Sequence, residues 1–274
     1  MNTNRLIKEF LYSKENDKKD SFYKEHFHDD YQLIFTVKGC VEFLFGNKTF
    51  VADANSIVFI SNLENHTVSV MTEEWERYYL TMSVRMVEET IADSQLLSVF
   101  KNRPVSFCNV FQIQPIAEEI TALFRLMHDE VNRTPNEYSE RYVRHILNLI
   151  FLSIYRNNHH QFPILRESVK SQVYDIQKHL DHHYNETLSL QDLCKDFYIS
   201  FSYLSRCFKE LTGYSPKQYI MIRRLSHARS LIITTDLSIS DVAYKSGFGD
   251  VNNFIRHFKM QYGLTPTHLR KNHN

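Results

Sequence analysis

The last third of the chain contains an internal repeat, which constrains the fold more than any other feature. Residues 188–194 (LSLQDLC) match residues 237–243 (LSISDVA) at an offset of 49. A longer pattern then runs over 202–216 and again over 252–266, with Arg, Phe-Lys, Gly and Pro at constant spacing. A duplication of this kind predicts two copies of one small supersecondary structure.

Each copy contains two short segments whose apolar residues follow helical spacing, separated by a break of about three residues. The second helix of each copy is predicted to begin at Ser202 or Asp250 as the N-cap. Gly213 and Gly263 are predicted to end these helices, because glycine readily adopts the left-handed conformation that follows a helix. Two helices joined by a tight turn form a helix-turn-helix.

The sequence therefore predicts two helix-turn-helix units, at 190–211 and 237–260. Between them, Pro216 to about Ile233 predicts one continuous helix, since apolar residues recur along it at helical spacing. At 1.5 Å per residue such a helix is about 27 Å long, close to the roughly 34 Å repeat of B-DNA. Both second helices would then reach successive major grooves on one face of a duplex.

The charge distribution supports a nucleic-acid partner for this part of the chain. The net charge is zero, but residues 1–167 hold 18 Lys and Arg against 23 Asp and Glu, whereas residues 168–274 hold 14 against 9. From residue 198 onward the count is 11 basic to 4 acidic residues. A basic bias suits a phosphate backbone, although a solvated helix face produces the same count.

The C-terminal residues, from about 170 to 271, resemble the AraC/XylS family of transcriptional regulators. The residues that carry this resemblance are Arg224-Leu225, Ala228, Leu231, Ile239-Ser240-Asp241-Val242-Ala243, Gly247-Phe248, Phe254, Phe258-Lys259 and Tyr262-Gly263-Leu264-Thr265-Pro266. The resemblance implies a bipartite DNA-binding domain whose second helices read adjacent major grooves. The residues expected to face the DNA are Ser202, Tyr203, Arg206, Lys209, Asn252, Asn253, Arg256 and Lys259.

The N-terminal part predicts a β-rich domain. Short strands separated by turn residues are expected at Tyr31–Val37, Val41–Phe45, Lys48–Val51, Ser56–Ile60, Thr67–Met71 and Tyr78–Ser83. Many short strands at this spacing favour a barrel or a sandwich. Two helices are predicted to follow, at 115–131 and 137–156, with an apolar face wide enough either to pack on the sheet or to pair two protomers.

His26-x-His28, Gly39 and His66 resemble a cupin, the usual sensor domain of the family. In metal-binding cupins the corresponding histidines ligate the ion together with a glutamate, but the glutamate position here is Gln32. An amide is a poor substitute for a carboxylate ligand, so no metal or other cofactor is expected. His26, His28, Gln32 and His66 are instead expected to line one face of a pocket for a polar effector, with a purely structural role as the alternative. The resemblance favours a sugar.

The sequence thus predicts an α+β protein of two domains: a cupin-like β-barrel with following helices, and an all-α domain with two helix-turn-helix units joined by a long helix. The expected boundaries are 1–112 for the barrel, 113–156 for the helical pair, 157–171 for a linker and 172–271 for the DNA-binding domain. No apolar run is long enough to span a bilayer and no secretory signal is visible, so a cytoplasmic protein with reduced cysteines is expected.

The resemblance implies a transcriptional regulator, more often an activator, that binds double-stranded promoter DNA as a homodimer and contacts RNA polymerase. An enzyme is not expected. The alternatives are a cupin-type metalloenzyme, a DNA-repair methyl acceptor fused to this DNA-binding domain, and a constitutive or architectural DNA binder without an effector. The methyl-acceptor hypothesis requires an activated cysteine, but the sequence shows no basic residues clustered around Cys40 or Cys108.

Overall fold

The computed structural model describes residues 6–15, 22–101, 103–104, 106–163 and 170–273. The chain divides into two compact units, 2–165 and 166–274. None of the helices within these described ranges combines the length and the apolar character needed to cross a membrane.

The N-terminal unit is built on two antiparallel sheets. Its strands are β1 (Ile7–Glu15), β2 (Phe22–His26), β3 (Tyr31–Lys38), β4 (Val41–Phe45), β5 (Lys48–Ala52), β6 (Ser56–Ile60), β7 (His66–Val70), β8 (Trp75–Met82) and β9 (Val110–Gln112). One sheet has the order β1-β8-β3-β6-β9 and the other β2-β7-β4-β5. The strand pattern expected for a cupin-like barrel is confirmed in its general form.

Several strand bounds differ from the sequence prediction. The strand predicted at Thr67–Met71 is His66–Val70, because His66 pairs with Phe45 at the end of the ladder. The strand predicted at Tyr78–Ser83 begins at Trp75, where β8 extends along the whole of β1. β1, β2 and β9 are additional strands that the sequence prediction did not contain.

Alternation along β3 separates two cores. Ile34 faces a cluster between the two sheets that includes Phe43 and Val58. Leu33 and Phe35 point to the opposite face of their sheet, into a larger cluster shared with the helices. Burial on both faces explains why β3 is nearly continuous in apolar residues.

The helices of this unit are α1 (Val84–Ile91), α2 (Ala117–Asn132) and α3 (Ser139–Asn158). Phe124 on α2 and Ile150 on α3 are fully buried in the cluster on the outer face of the five-stranded sheet. The predicted helix at 115–131 begins later because Pro115 lies in a 3-10 turn, and the helix predicted to end at residue 156 continues to Asn158. Of the predicted linker at 157–171, residues 164–169 lie outside the described part of the chain.

The C-terminal unit is all helical across its described residues. It consists of α4 (Lys170–His183), α5 (Leu190–Asp196), α6 (Phe201–Thr212), α7 (Pro216–Thr234), α8 (Ile239–Lys245), α9 (Val251–Tyr262) and α10 (Pro266–His273). The predicted connecting helix is confirmed as α7, which begins with a capping box between Ser215 and Gln218. The α+β class and the two helix-turn-helix units are therefore as predicted.

A buried polar cluster joins α4 to α7. Asp181 lies 3.2 Å from the guanidinium of Arg223, and the Tyr219 hydroxyl donates a 2.7 Å hydrogen bond to the same carboxylate. Burial, with Asp181 beside it, raises the pKa of Tyr219 well above its usual value. This cluster fixes the register of the first helix of the unit against the connecting helix.

Candidate DNA-binding surface and effector site

The four helices of the two helix-turn-helix units each begin at a side chain that accepts a backbone N–H. Ser189 caps α5 at 3.2 Å, Ser238 caps α8 at 3.1 Å and Asp250 caps α9 at 2.6 Å. Ser200 caps α6, accepting from the Tyr203 backbone N–H at 3.2 Å. The prediction of Ser202 as that cap was wrong. Ser200 precedes the helix in extended conformation, whereas Ser202 already lies within it.

The inward faces of α6 and α9 each contribute to the apolar core of their own helix-turn-helix unit. Leu204 and Phe208 on α6 and Phe254 and Phe258 on α9 are fully buried. These apolar residues point inward at helical spacing, so the opposite face of each helix is left to solvent.

The eight predicted DNA-binding residues lie away from these cores. All are exposed except Tyr203, which is half-buried. On α6 the Arg206 guanidinium lies 5.8 Å from the centre of the Tyr203 ring. On α9 Arg256 donates a 3.0 Å hydrogen bond to the side-chain oxygen of Asn253. Each helix therefore presents an exposed surface of arginine, lysine and polar side chains.

The turns within the two units use equivalent backbone conformations but different residues. Tyr198 in the first turn has φ +54°, and Gly247, its counterpart at an offset of 49, has φ +89°. A Cβ on Gly247 would lie 2.6 Å from the Cα of Asn185, so only glycine fits there. Tyr198 is 92% exposed and meets no such restriction.

In the N-terminal unit the three predicted histidines come together. The ring centres of His26 and His66 are 4.3 Å apart, those of His28 and His66 are 5.3 Å apart, and those of His26 and His28 are 6.4 Å apart. The histidines do not share one strand with Gln32, although all four residues were expected to line one face of a pocket. His26 ends β2 in the four-stranded sheet, His28 lies in the following loop and Gln32 lies on β3 in the other sheet.

Two of the histidines have a defined tautomer. His28 Nδ1 lies 2.6 Å from the carbonyl of Asp30, and His66 Nδ1 lies 2.9 Å from the carbonyl of Glu64. Because a carbonyl only accepts hydrogen bonds, both Nδ1 atoms carry the proton. When these rings are neutral, each Nε2 atom is therefore a hydrogen-bond acceptor.

Burial keeps both rings neutral. Desolvation lowers the pKa of His28 to about 4, while the Asp30 carbonyl and the nearby Gln32 side chain partly oppose this shift. Desolvation, followed by the neighbouring His28, lowers the pKa of His66 to about 3. At neutral pH these side chains offer lone pairs rather than positive charge.

Two residues that the sequence analysis missed complete the polar cluster. Gln32 Nε2 donates to the hydroxyl of Tyr79, and Thr81 pairs with Gln32 across β3 and β8. Gln32 Oε1, Thr81 Oγ1 and His28 Nε2 are buried and have no hydrogen-bond partner among the described residues. The sequence signal was the alternation of Tyr79 and Thr81 with the apolar residues of β8, which places them on the Gln32 face.

The chemistry of this cluster is that of a hydrogen-bonding site. Among the described residues, no group of three or more His, Cys, Asp or Glu side chains is arranged to hold a metal ion. Gln32 Oε1 and His28 Nε2 are acceptors, and the Thr81 hydroxyl can accept or donate; buried polar atoms of this kind are costly to leave without partners. A ligand with hydroxyl or amide hydrogens would satisfy them.

Comparison with known proteins finds a matching family model for each of the two parts of the chain. Residues 11–147 match the AraC-like ligand binding domain and residues 193–272 match a helix-turn-helix domain. An uncharacterized HTH-type transcriptional regulator of Escherichia coli K12, YdiP, is 24% identical over 90% of this chain and 80% of its own length. The HTH-type transcriptional activator RhaS of Escherichia coli O1:K1 is 21% identical over 91% of this chain and 88% of its own length.

A solved structure has a similar fold along almost the whole chain. ToxT from Vibrio cholerae superposes with a TM-score of 0.61 at 16% identity, covering 96% of this chain and 98% of its own. At this identity the likeness shows the fold alone, and the family follows from the matched domains, one of which spans half of the sequence. With a ligand-binding domain at one end and paired helix-turn-helix units at the other, this chain belongs to the AraC family of transcriptional regulators.

Proposed function

We propose that this regulator reads promoter DNA with α6 and α9 and activates transcription when a small hydroxyl-rich effector, such as a sugar, binds in the N-terminal unit. The observation that carries the DNA-binding part is the set of eight polar residues on the outward faces of these two helices, seven of them exposed and Tyr203 half-buried. Those residues are Ser202, Tyr203, Arg206, Lys209, Asn252, Asn253, Arg256 and Lys259.

Their chemistry divides base reading from backbone contact. Arg206 and Arg256 can each pair with the acceptors of a guanine, and Asn252 or Asn253 with an adenine. Lysine at the fourth position of each set suits a phosphate oxygen. The arginines therefore supply specificity, whereas Lys209 supplies affinity that depends little on sequence.

Variants separate these roles. Arg206→Ala and Arg256→Ala should each weaken binding to a selected duplex by about 1 to 3 kcal/mol while leaving a scrambled duplex less affected. Lys209→Ala should weaken both duplexes alike and reduce the salt dependence of binding. Arg85→Ala, which removes one exposed charge from the N-terminal unit, is the control. Equal losses on both duplexes for the two arginine variants would refute base reading.

The effector class is inferred from the buried acceptors His28 Nε2 and Gln32 Oε1 and the buried Thr81 hydroxyl, with His66 and the exposed His26 beside them. A polyhydroxyl ligand donates to such atoms, whereas an anionic headgroup offers only acceptors. ToxT has been solved with an unsaturated fatty acid bound. The polar cluster described above matches a neutral donor-rich ligand better.

The response is tested with Gln32→Leu. This substitution removes a central acceptor, so it should abolish effector-dependent reporter expression and leave operator binding unchanged. Gln112→Leu, an exposed glutamine on β9 of the same sheet, is the matched control. Thermal shift of the purified chain with a panel of neutral sugars and of fatty acids distinguishes the effector classes. An undiminished response in Gln32→Leu would place the effector elsewhere.

We further propose that two copies pair through α3. Tyr138, Tyr142, Leu149 and Leu152 are 62%, 44%, 50% and 45% exposed, and their spacing places them on one side of the helix. A second copy would cover this apolar stripe. Leu149→Glu should shift the sedimentation profile to monomer, whereas Val51→Glu, an exposed apolar position on β5, should not. A dimer that survives Leu149→Glu would exclude this surface.

Activation itself, through contact with RNA polymerase, rests on the relationship to a transcriptional activator. A reporter under the operator tests it directly. Deletion of the regulator should lower effector-dependent expression, and a rise would instead indicate a repressor.

A further inference from the structure

A second histidine cluster lies in the C-terminal unit, at the end of α4. His179 and His183 are four residues apart, and their rings stack with centres 4.4 Å apart and planes inclined by 27°. Residues at this spacing lie on one face of a helix, one turn above the other. Both side chains are half-buried, so they are in contact with solvent.

A carboxylate orients one of the rings. His183 Nδ1 lies 2.9 Å from Glu186 Oε1, and the proton on this nitrogen is the one that a carboxylate accepts. The Nε2 lone pair of His183 is therefore presented to solvent-accessible space. A carboxylate bonded to one ring nitrogen while the other stays available is the arrangement that supports histidine as a metal ligand.

The second ring is suited to the same role. The centre of the His179 ring lies 4.4 Å from that of His183, one turn away on the same face of the helix. Nitrogen ligands on a tetrahedral ion with bonds of about 2.0 to 2.1 Å are roughly 3.3 Å apart, so small side-chain rotations bring the two rings onto one ion. His182 Nδ1 is bonded to the Lys178 carbonyl at 2.7 Å within the helix, and its ring takes no part in the His179–His183 stack.

The helix end that carries these rings is firmly attached. Arg224 on α7 donates to the carbonyls of Tyr184 at 2.6 Å and Glu186 at 2.8 Å. Asn185 packs directly against Gly247 in the turn of the second helix-turn-helix unit. An ion held at His183 would therefore stabilise a segment that supports that unit.

We propose that His179 and His183 form a two-histidine site for a borderline divalent cation, with Glu186 orienting His183 and water completing the coordination. Imidazole nitrogen suits zinc, nickel and copper ions, and not magnesium or calcium. The described residues supply no cluster of three protein ligands here, so the site is exchangeable. The proposal is independent of the effector site and of the DNA-reading residues.

The test is a calorimetric titration of the full chain with Ni²⁺ in a non-coordinating buffer, with thermal unfolding followed by circular dichroism. Wild type should bind the ion and unfold at a higher temperature in its presence. His179→Gln and His183→Gln should each lower the affinity at least about tenfold, and Glu186→Gln about tenfold. His182→Ala, on the same helix, should bind as wild type does.

The His26, His28 and His66 cluster provides the decisive comparison, because three imidazoles come together there within the N-terminal unit. Ni²⁺ binding that disappears in a His28→Gln, His66→Gln double variant and survives in His179→Gln would overturn the proposal. Equal affinities for His182→Ala and His183→Gln would overturn it as well. Circular dichroism spectra of the ion-free variants establish that each is folded, and alanine versions at 179 and 183 replace any variant that is not.

Discussion

Gly247→Ala should destabilise the C-terminal unit far more than an ordinary glycine substitution. Two costs add at this position. An L-residue at φ +89° costs about 1 to 2 kcal/mol relative to glycine. The new methyl group would also lie 2.6 Å from Asn185 Cα and 2.9 Å from Arg224 Nε, and relieving such crowding typically costs about 1 to 3 kcal/mol.

The crowding cannot be relieved cheaply, because the backbone around Asn185 is fixed. Arg224 donates to the carbonyls on both sides of it, at Tyr184 and Glu186. The expected loss of unfolding free energy for Gly247→Ala is therefore about 2 to 5 kcal/mol.

Three matched substitutions separate the two costs. Gly263→Ala has a similar φ of +73° but open space around the Cβ, so it should cost only about 1 to 2 kcal/mol. Gly249→Ala, in the same turn as Gly247, meets nothing within 4 Å and should change little. Tyr198→Gly relieves the left-handed strain in the first turn but adds backbone entropy to the unfolded chain, so the net change should stay within about 1 kcal/mol.

Urea unfolding followed by circular dichroism at 222 nm measures these differences. The chain has a single tryptophan, Trp75, which is buried in the N-terminal unit, so its fluorescence serves as an internal control. A loss below about 1 kcal/mol for Gly247→Ala would refute the reasoning from crowding and backbone conformation. A large loss for Gly249→Ala would refute it too.

Three further results are expected. Ser200→Ala should cost about 1 kcal/mol in urea unfolding because it removes the cap of α6, whereas Ser202→Ala should change stability little. Asp181→Ala should cost about 3 to 5 kcal/mol by the same measurement, because it removes the carboxylate beside the largely buried Arg223 guanidinium and the Tyr219 hydroxyl. The N-terminal unit should lose stability as pH falls from about 6.5 towards 4, since His28 and His66 bind protons more readily when unfolded. Unfolding followed by Trp75 fluorescence at a series of pH values measures this loss, and the His28→Gln, His66→Gln double variant should show a weaker dependence on pH.

The sequence was sufficient for the two helix-turn-helix units and the connecting helix because their signals are local, whereas α4 and α10 were not predicted. Caps, helical spacing and glycine stops act within a few residues, and the repeat presents each of these signals twice. Ser200 was the exception, since two serines at the start of α6 compete for the cap and only backbone conformation distinguishes them. The left-handed conformation of Tyr198 also had no sequence signal, because tyrosine is not a residue that such turns usually select.

The N-terminal unit was harder because its site is made by pairing between distant strands. β1 was missed since its register shifts between Ile7 and Glu9 and both Leu11 and Tyr12 are exposed, which breaks the alternation that marks a half-buried strand. His26 meets His66 through the β2–β7 pairing, a contact that spacing along the chain does not reveal. The family resemblance predicted that the histidines lie together. Their tautomers and the contribution of Thr81 could be derived only from the three-dimensional structure.

The two helix-turn-helix units share their caps and stops but differ on their outward surfaces. α6 presents Ser202 and Tyr203 where α9 presents Asn252 and Asn253. If both helices read bases, a single protomer is asymmetric along the DNA axis. The binding site of one chain then has polarity of its own, so inverting that site relative to a promoter changes which end of the protein faces the transcription start.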